Sequence, residues 1–118
     1  MPNKADNSAR AFQELTRVLE QAVEAGVNSI GLEYKGGELM VFHQIGPVGL
    51  GATRIAAELK EAVIRELVRR ARPSRSRTGK MRVNLLGKDY EIAVDEYEDF
   101  GQSAFNLTLM ERKKKTRR

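Results

Sequence analysis

Apolar residues recur every three to four positions at Phe12, Leu15, Leu19, Ala22 and Val23, the spacing of one helix face. Asn7 or Ser8 can cap the start and Gly26 stands where such a helix ends, so the pattern predicts a helix over residues 8–25. The period then drops to two. Ile30, Leu32 and Tyr34 alternate with Gly31 and Glu33, Lys35-Gly36-Gly37-Glu38 carries turn chemistry, and Leu39, Val41 and Ile45 continue an apolar run; together these predict a hairpin. A glycine-rich loop is expected from Gly46 to Thr53. Helical spacing returns in Ile55, Leu59, Ala62, Val63, Leu67 and Ala71 and is closed by Pro73. A basic, serine-containing and mobile linker is expected over Pro73 to Gly79, followed by three strands. These are carried by Met81, Val83 and Leu85, by Tyr90, Ile92 and Val94, and by Phe105, Leu107 and Leu109, with turns at Leu86-Gly87 and around Glu98 to Gly101.

The expected order is α-β-β-α-β-β-β, an α+β domain in which an antiparallel sheet has two helices packed on one face. Its bounds are a flexible N-terminus at residues 1–7, one domain at 8–110 and a disordered basic tail at 111–118.

Composition narrows the function classes. A chain of 118 residues, 41% hydrophobic and 31% charged, is one domain's worth of globular material. No apolar run reaches the ~18 residues that cross a bilayer, and polar Met1 to Ser8 lack the apolar stretch of a secretory leader. With no cysteine, thiolate metal sites and disulfides are excluded.

The net charge of +5 resides in the tail, where Arg112, Lys113, Lys114, Lys115, Arg117 and Arg118 face one acid, Glu111. Residues 1–110 are neutral in sum but polarised. Arg69, Arg70, Arg72, Arg75, Arg77, Lys80, Arg82 and Lys88 run without an acid among them, and Asp89, Glu91, Asp95, Glu96, Glu98 and Asp99 follow without a base. Two such blocks can pair within the domain or between copies.

Few residues nominate chemistry. Gly46-Pro47-Val48-Gly49-Leu50-Gly51-Ala52-Thr53 spells a phosphate-cradling loop with alanine in place of the lysine. Gly49, Gly51 and Thr53 are thus candidates for holding an anion, but nothing neutralises the β- and γ-phosphates, and hydrolysis is not expected. His43 is the only histidine and supplies neither a metal cluster nor a triad. Asp95, Glu96, Glu98 and Asp99 lack the spacing of a calcium loop and read as a solvated strand end or docking strip. The tail has no interleaved aromatics for base stacking. No cofactor, metal or catalytic residue is expected.

Ala25-Gly26-Val27-Asn28-Ser29-Ile30-Gly31-Leu32-Glu33 is similar to the opening of the domain that precedes the motor core in type II secretion and type IV pilus assembly ATPases. The run from Gly79 to Ile92, and Phe100-Gly101-Gln102 through Leu107-Thr108-Leu109, resemble later motifs of the same domain. The resemblance covers roughly residues 10–110 and implies a PAS-like fold and a cytoplasmic setting in secretion or pilus assembly. It does not imply ATPase activity. The family's phosphate-reaching arginines fall at Gln44, Ala93 and Thr108, its aspartate and histidine at Ser29 and Gly31, and the motor domain has no counterpart.

The leading expectation is a non-catalytic regulatory or docking domain, binding a protein partner or its own copy through Arg69, Arg70, Arg72, Arg75, Arg77, Lys80, Arg82, Asp95, Glu96, Glu98 and Asp99. One alternative is weak nucleic-acid or anionic-surface binding through Arg112 to Arg118 and the Arg69–Lys80 loop. Another is nucleotide sensing by the Gly46–Thr53 loop.

Overall fold

The computed structural model describes residues 4–112, with side chains from residue 7; residues 113–118, and with them most of the expected basic tail, lie outside the described residues. Helix α1 spans Lys4–Glu24 and is followed by strands β1 (Ser29–Lys35), β2 (Glu38–Ile45) and β3 (Val48–Arg54). A single 3-10 turn, Ala57–Leu59, leads into α2 (Lys60–Ala71), and β4 (Gly79–Leu85), β5 (Lys88–Asp99) and β6 (Gln102–Glu111) complete the domain. The six strands form one antiparallel sheet in the order β3-β2-β1-β6-β5-β4.

The α+β class is as the periodicity predicts, but the sheet has one strand more. The expected glycine loop is instead the β2–β3 turn and β3 itself. Two smaller differences accompany it: α1 already runs through residues 4–7, and the Pro73–Gly79 linker closes into a tight turn in which the N–H of Ser74 donates to the Arg77 carbonyl (3.0 Å) and the Arg77 N–H to that of Ser74 (3.2 Å).

Every hairpin closes through two residues. Gly36-Gly37, Leu86-Gly87 and Phe100-Gly101 have positive φ at both positions, the turn whose twist matches paired strands. Leu86 and Phe100 adopt this left-handed conformation although they are not glycine. Gly46-Pro47 has positive φ at glycine alone, which suits a turn whose second position wants the fixed negative φ of proline.

The large buried side chains of the strands all fall on one side of the sheet: Ile30 and Leu32, Leu39 and Val41, Met81, Val83 and Leu85, Tyr90, Ile92 and Val94, and Phe105, Leu107 and Leu109. They join Leu15, Val18 and Leu19 of α1 and Val63 and Leu67 of α2 in one cluster. β3 contributes none of its side chains to it.

A charge is enclosed where the helices meet. Glu66 is only 3% exposed and accepts hydrogen bonds from the guanidinium groups of Arg69 (3.2 Å) and Arg70 (2.6 Å). Arg70 in turn lies 3.7 Å above the Phe12 ring, a cation–π contact that fixes α2 against α1. Arg69 is the larger influence holding the Glu66 carboxyl below its usual range, and Arg70 adds to it. A carboxylate with a depressed folded pKa stabilises the fold above its unfolded pKa and loses that contribution as pH falls through the folded one. Glu66→Gln is therefore expected to cost about 1–2 kcal/mol at neutral pH, and the gap to the parent chain should close on acidification below pH ~4, as denaturation at several pH values would measure.

Candidate functional site

The strand residues that alternate with those of the core face away from the cluster that α1 and α2 join, toward the other side of the sheet. Across it runs a row defined by register: Gly49 opposite Gln44, Ser29 opposite Thr108, Thr108 opposite Ala93, and Ala93 opposite Lys80. Gln44, Ser29, Ala93 and Thr108 are half-buried and neutral, and the row ends on the charged Lys80.

β3 is read correctly only against β2. A Cβ added at Gly49 would stand 3.0 Å from the Gln44 amide nitrogen, and one at Gly51 would touch the Phe42 ring at 3.8 Å. Gly49 leaves room for the Gln44 amide, while Gly51 makes only ordinary contact across the strand. They do not form a loop, and no helix begins after Thr53, which pairs with Val41 inside the strand. Gly49, Gly51 and Thr53, expected in an anion-holding loop, lie instead in an extended strand, where successive amides point to opposite sides and do not converge on one point. Between Val41 and Phe42 the register slips by one residue, a bulge that leaves Ala52 unmatched. Beyond it β3 is anchored: Arg54 pairs with Glu38 at 2.7 Å, and the Ala56 N–H donates to Glu14 at 3.1 Å.

β3 ends the sheet, and its free side is unusually bare. Ile45, Val48 and Leu50 are 55%, 53% and 52% exposed and share one face, since Ile45 is opposite Val48 and His43 opposite Leu50. His43 is half-buried beside them, with a buried Nε2 that has no hydrogen-bond partner. From Ile45 to Thr53 there is no charged residue. The other edge differs. β4 carries Lys80 and Arg82 outward, and with Arg70, Met81 and Glu91 they line an open depression of about 400 Å³.

The two charge blocks meet within the domain. Arg75 reaches Glu98 (3.3 Å), Glu96 (3.8 Å) and the Ser103 hydroxyl (3.1 Å). The Thr78 hydroxyl donates to Asp95, and Lys35 pairs with Asp99 (3.0 Å) and Glu33 (3.3 Å). Lys80 lies 3.6 Å from Glu91. Tyr97 donates to Glu33 at 2.7 Å, and burial together with that carboxylate pushes the phenol far above its ordinary range. Every member of the acidic strip thus has an intramolecular partner. Arg72, Arg77 and Arg82 have no ion-pair partner among the described residues. Sequence reasoning missed the apolar edge, although Ile45-Gly46-Pro47-Val48 contains the two-residue turn signal.

Neither a model of any known protein family nor any curated protein matches this chain. Among the described residues no helix is long and apolar enough to cross a membrane, and no group of three or more His, Cys, Asp or Glu side chains is placed to hold a metal ion.

Proposed function

We propose that this chain is a non-catalytic docking domain that engages protein through its β3 edge, in a fold related to the PAS-like N-terminal domain of secretion and pilus assembly ATPases. The observation that carries the reading is the edge itself: exposed Ile45 at the end of β2, and Val48 and Leu50 on the terminal strand β3, in a stretch from Ile45 to Thr53 that holds no charge. Monomeric proteins commonly blunt such edges with lysine, proline or a covering element. Here the bulge at Ala52 bends the far end away, and the uncharged stretch before it is left as the template for an added strand. The family relation rests on the sequence resemblance over residues 10–110, from which Gln44, Ala93 and Thr108 depart. By that resemblance these positions match the family's phosphate-reaching arginines; Ala93 and Thr108 are directly opposite each other, and Gln44 lies on β2. With short neutral side chains there, the domain retains the platform and not the phosphate contact.

The acidic strip Asp95–Asp99 is engaged internally, so the contact moves from the charge blocks to the apolar edge. A lysine at position 50 supplies the missing block. The immobilised wild-type chain is expected to retain a protein partner that Leu50→Lys loses, while Asp95→Asn retains it. Equal retention by wild type and Leu50→Lys would dismiss the edge as the docking surface. The unpaired Arg72, Arg77 and Arg82 favour a second contact with polyanions. That contact should weaken steeply with salt, whereas the apolar edge should not.

A further inference from the structure

The docking reading leaves the occupant of the edge open, and the chemistry of β3 narrows it. We infer that β3 pairs antiparallel with β3 of a second copy about a two-fold axis at Leu50, joining two six-stranded sheets edge to edge. This rests on the edge being a docking surface and names what docks there.

The register follows from the hairpin. The two-residue Gly46-Pro47 turn makes Ile45 and Val48 a hydrogen-bonded pair, and the alternation of an antiparallel ladder then turns the main-chain groups of Gly49 and Gly51 away from β2. In a two-fold pairing, the register in which each copy's Gly49 exchanges bonds with the other's Gly51 is centred on Leu50. Leu50 then faces its own counterpart as a non-hydrogen-bonded pair, where side chains approach closest. Val48 of each copy faces Ala52 of the other. The axis is perpendicular to the sheet, so Ile45, Val48 and Leu50 of both copies lie on one face and form a continuous apolar strip.

Charge agrees with this occupant. Self-pairing sets every residue of β3 against β3, and a charge near the axis would meet its like. The strand's sole charge, Arg54, is outside the Val48–Ala52 overlap and is held by Glu38 of its own copy. The overlap is short, because the bulge at Ala52 bends the strand away beyond it. Growth also stops at two. A head-to-tail contact would need β4, whose outward Lys80 and Arg82 leave a charged edge that the apolar β3 does not complement.

The chain has no cysteine, so a single introduced thiol reports on one contact. At a non-hydrogen-bonded pair the Cα atoms lie about 4.5 Å apart, inside the roughly 4.4–6.8 Å that a disulfide spans. Under mild oxidation Leu50→Cys is expected to form a covalent dimer nearly completely, whereas Val68→Cys, exposed on α2, gives little. Light scattering should find the wild-type chain at twice the monomer mass and Leu50→Lys at the monomer mass, with the same far-UV dichroism. A monomeric wild-type chain whose Leu50→Cys variant cross-links no better than Val68→Cys overturns the second-copy inference. If Leu50→Lys then still abolishes capture of another protein, the edge docks a foreign strand and only the inference falls; if it changes nothing, the docking reading falls with it.

Discussion

Gly79→Ala is expected to destabilise the domain by about 3 kcal/mol, lowering the melting temperature by roughly 10–20 °C. Gly79 opens β4 and is buried where that strand leaves the turn after α2. A Cβ there would stand 2.2 Å from the Ala71 carbonyl oxygen, 2.7 Å from the Pro73 nitrogen and 2.9 Å from the Ala71 carbonyl carbon. All three obstacles are backbone, so no rotamer change relieves them. Relief would require the end of α2 to shift away from the sheet, breaking the contact of Ala71 with the core and the left-handed cap at Arg72, whose N–H donates to the Val68 carbonyl at 2.9 Å. Gly37→Ala, at an exposed turn where no atom lies near the added Cβ, carries only the conformational cost of a positive φ and serves as the comparison. Thermal denaturation of both variants measures the difference.

The second large effect is expected at Leu107. This residue is fully buried on β6, in the middle of the sheet, paired with Ile30 on one side and Val94 on the other. Leu107→Ala removes packed methyl groups from a site enclosed on every side and should cost about 3 kcal/mol, a transfer loss plus a cavity. Leu50→Ala makes the same chemical change on the half-exposed edge. It should leave the monomer's folding free energy within about 0.5 kcal/mol while weakening association. The contrast separates two leucines that look alike in sequence, each at an alternating strand position, and it would be read from urea denaturation at a concentration where the chain is monomeric.

That contrast also explains what the sequence could reveal. Helical spacing in Phe12 to Val23 and Leu59 to Ala71, and alternation in Met81 to Leu85 and Phe105 to Leu109, are signals carried by each segment alone, and each became the element expected. β3 was lost because glycine at 49 and 51 erases the polar half of an alternation whose apolar half is Val48, Leu50 and Ala52. The crowding that Gly49 relieves comes from Gln44 across the strand, and no local pattern contains it. The near match to a phosphate loop suggests a loop where the chain forms a strand.

The charge blocks were visible, and so was the possibility that they pair within the domain. Only the turn at Ser74–Arg77 and the β4–β5 hairpin decide it, by carrying Arg75 to Glu96 and Glu98 and Thr78 to Asp95. Glu66 was legible in principle, since Arg69 and Arg70 follow at the helical spacings of three and four. Its enclosure depends on α1 arriving over it, which local spacing does not encode.

The central claim is that residues 46–53 form an edge that meets protein and not phosphate. Amide resonances of Gly49 and Gly51 in isotope-labelled protein test it directly, followed first with increasing protein concentration and then with added ATP. The expected result is that both amides shift with protein concentration, lose that response in Leu50→Lys, and ignore the nucleotide. Shifts that follow ATP and not protein concentration would contradict it.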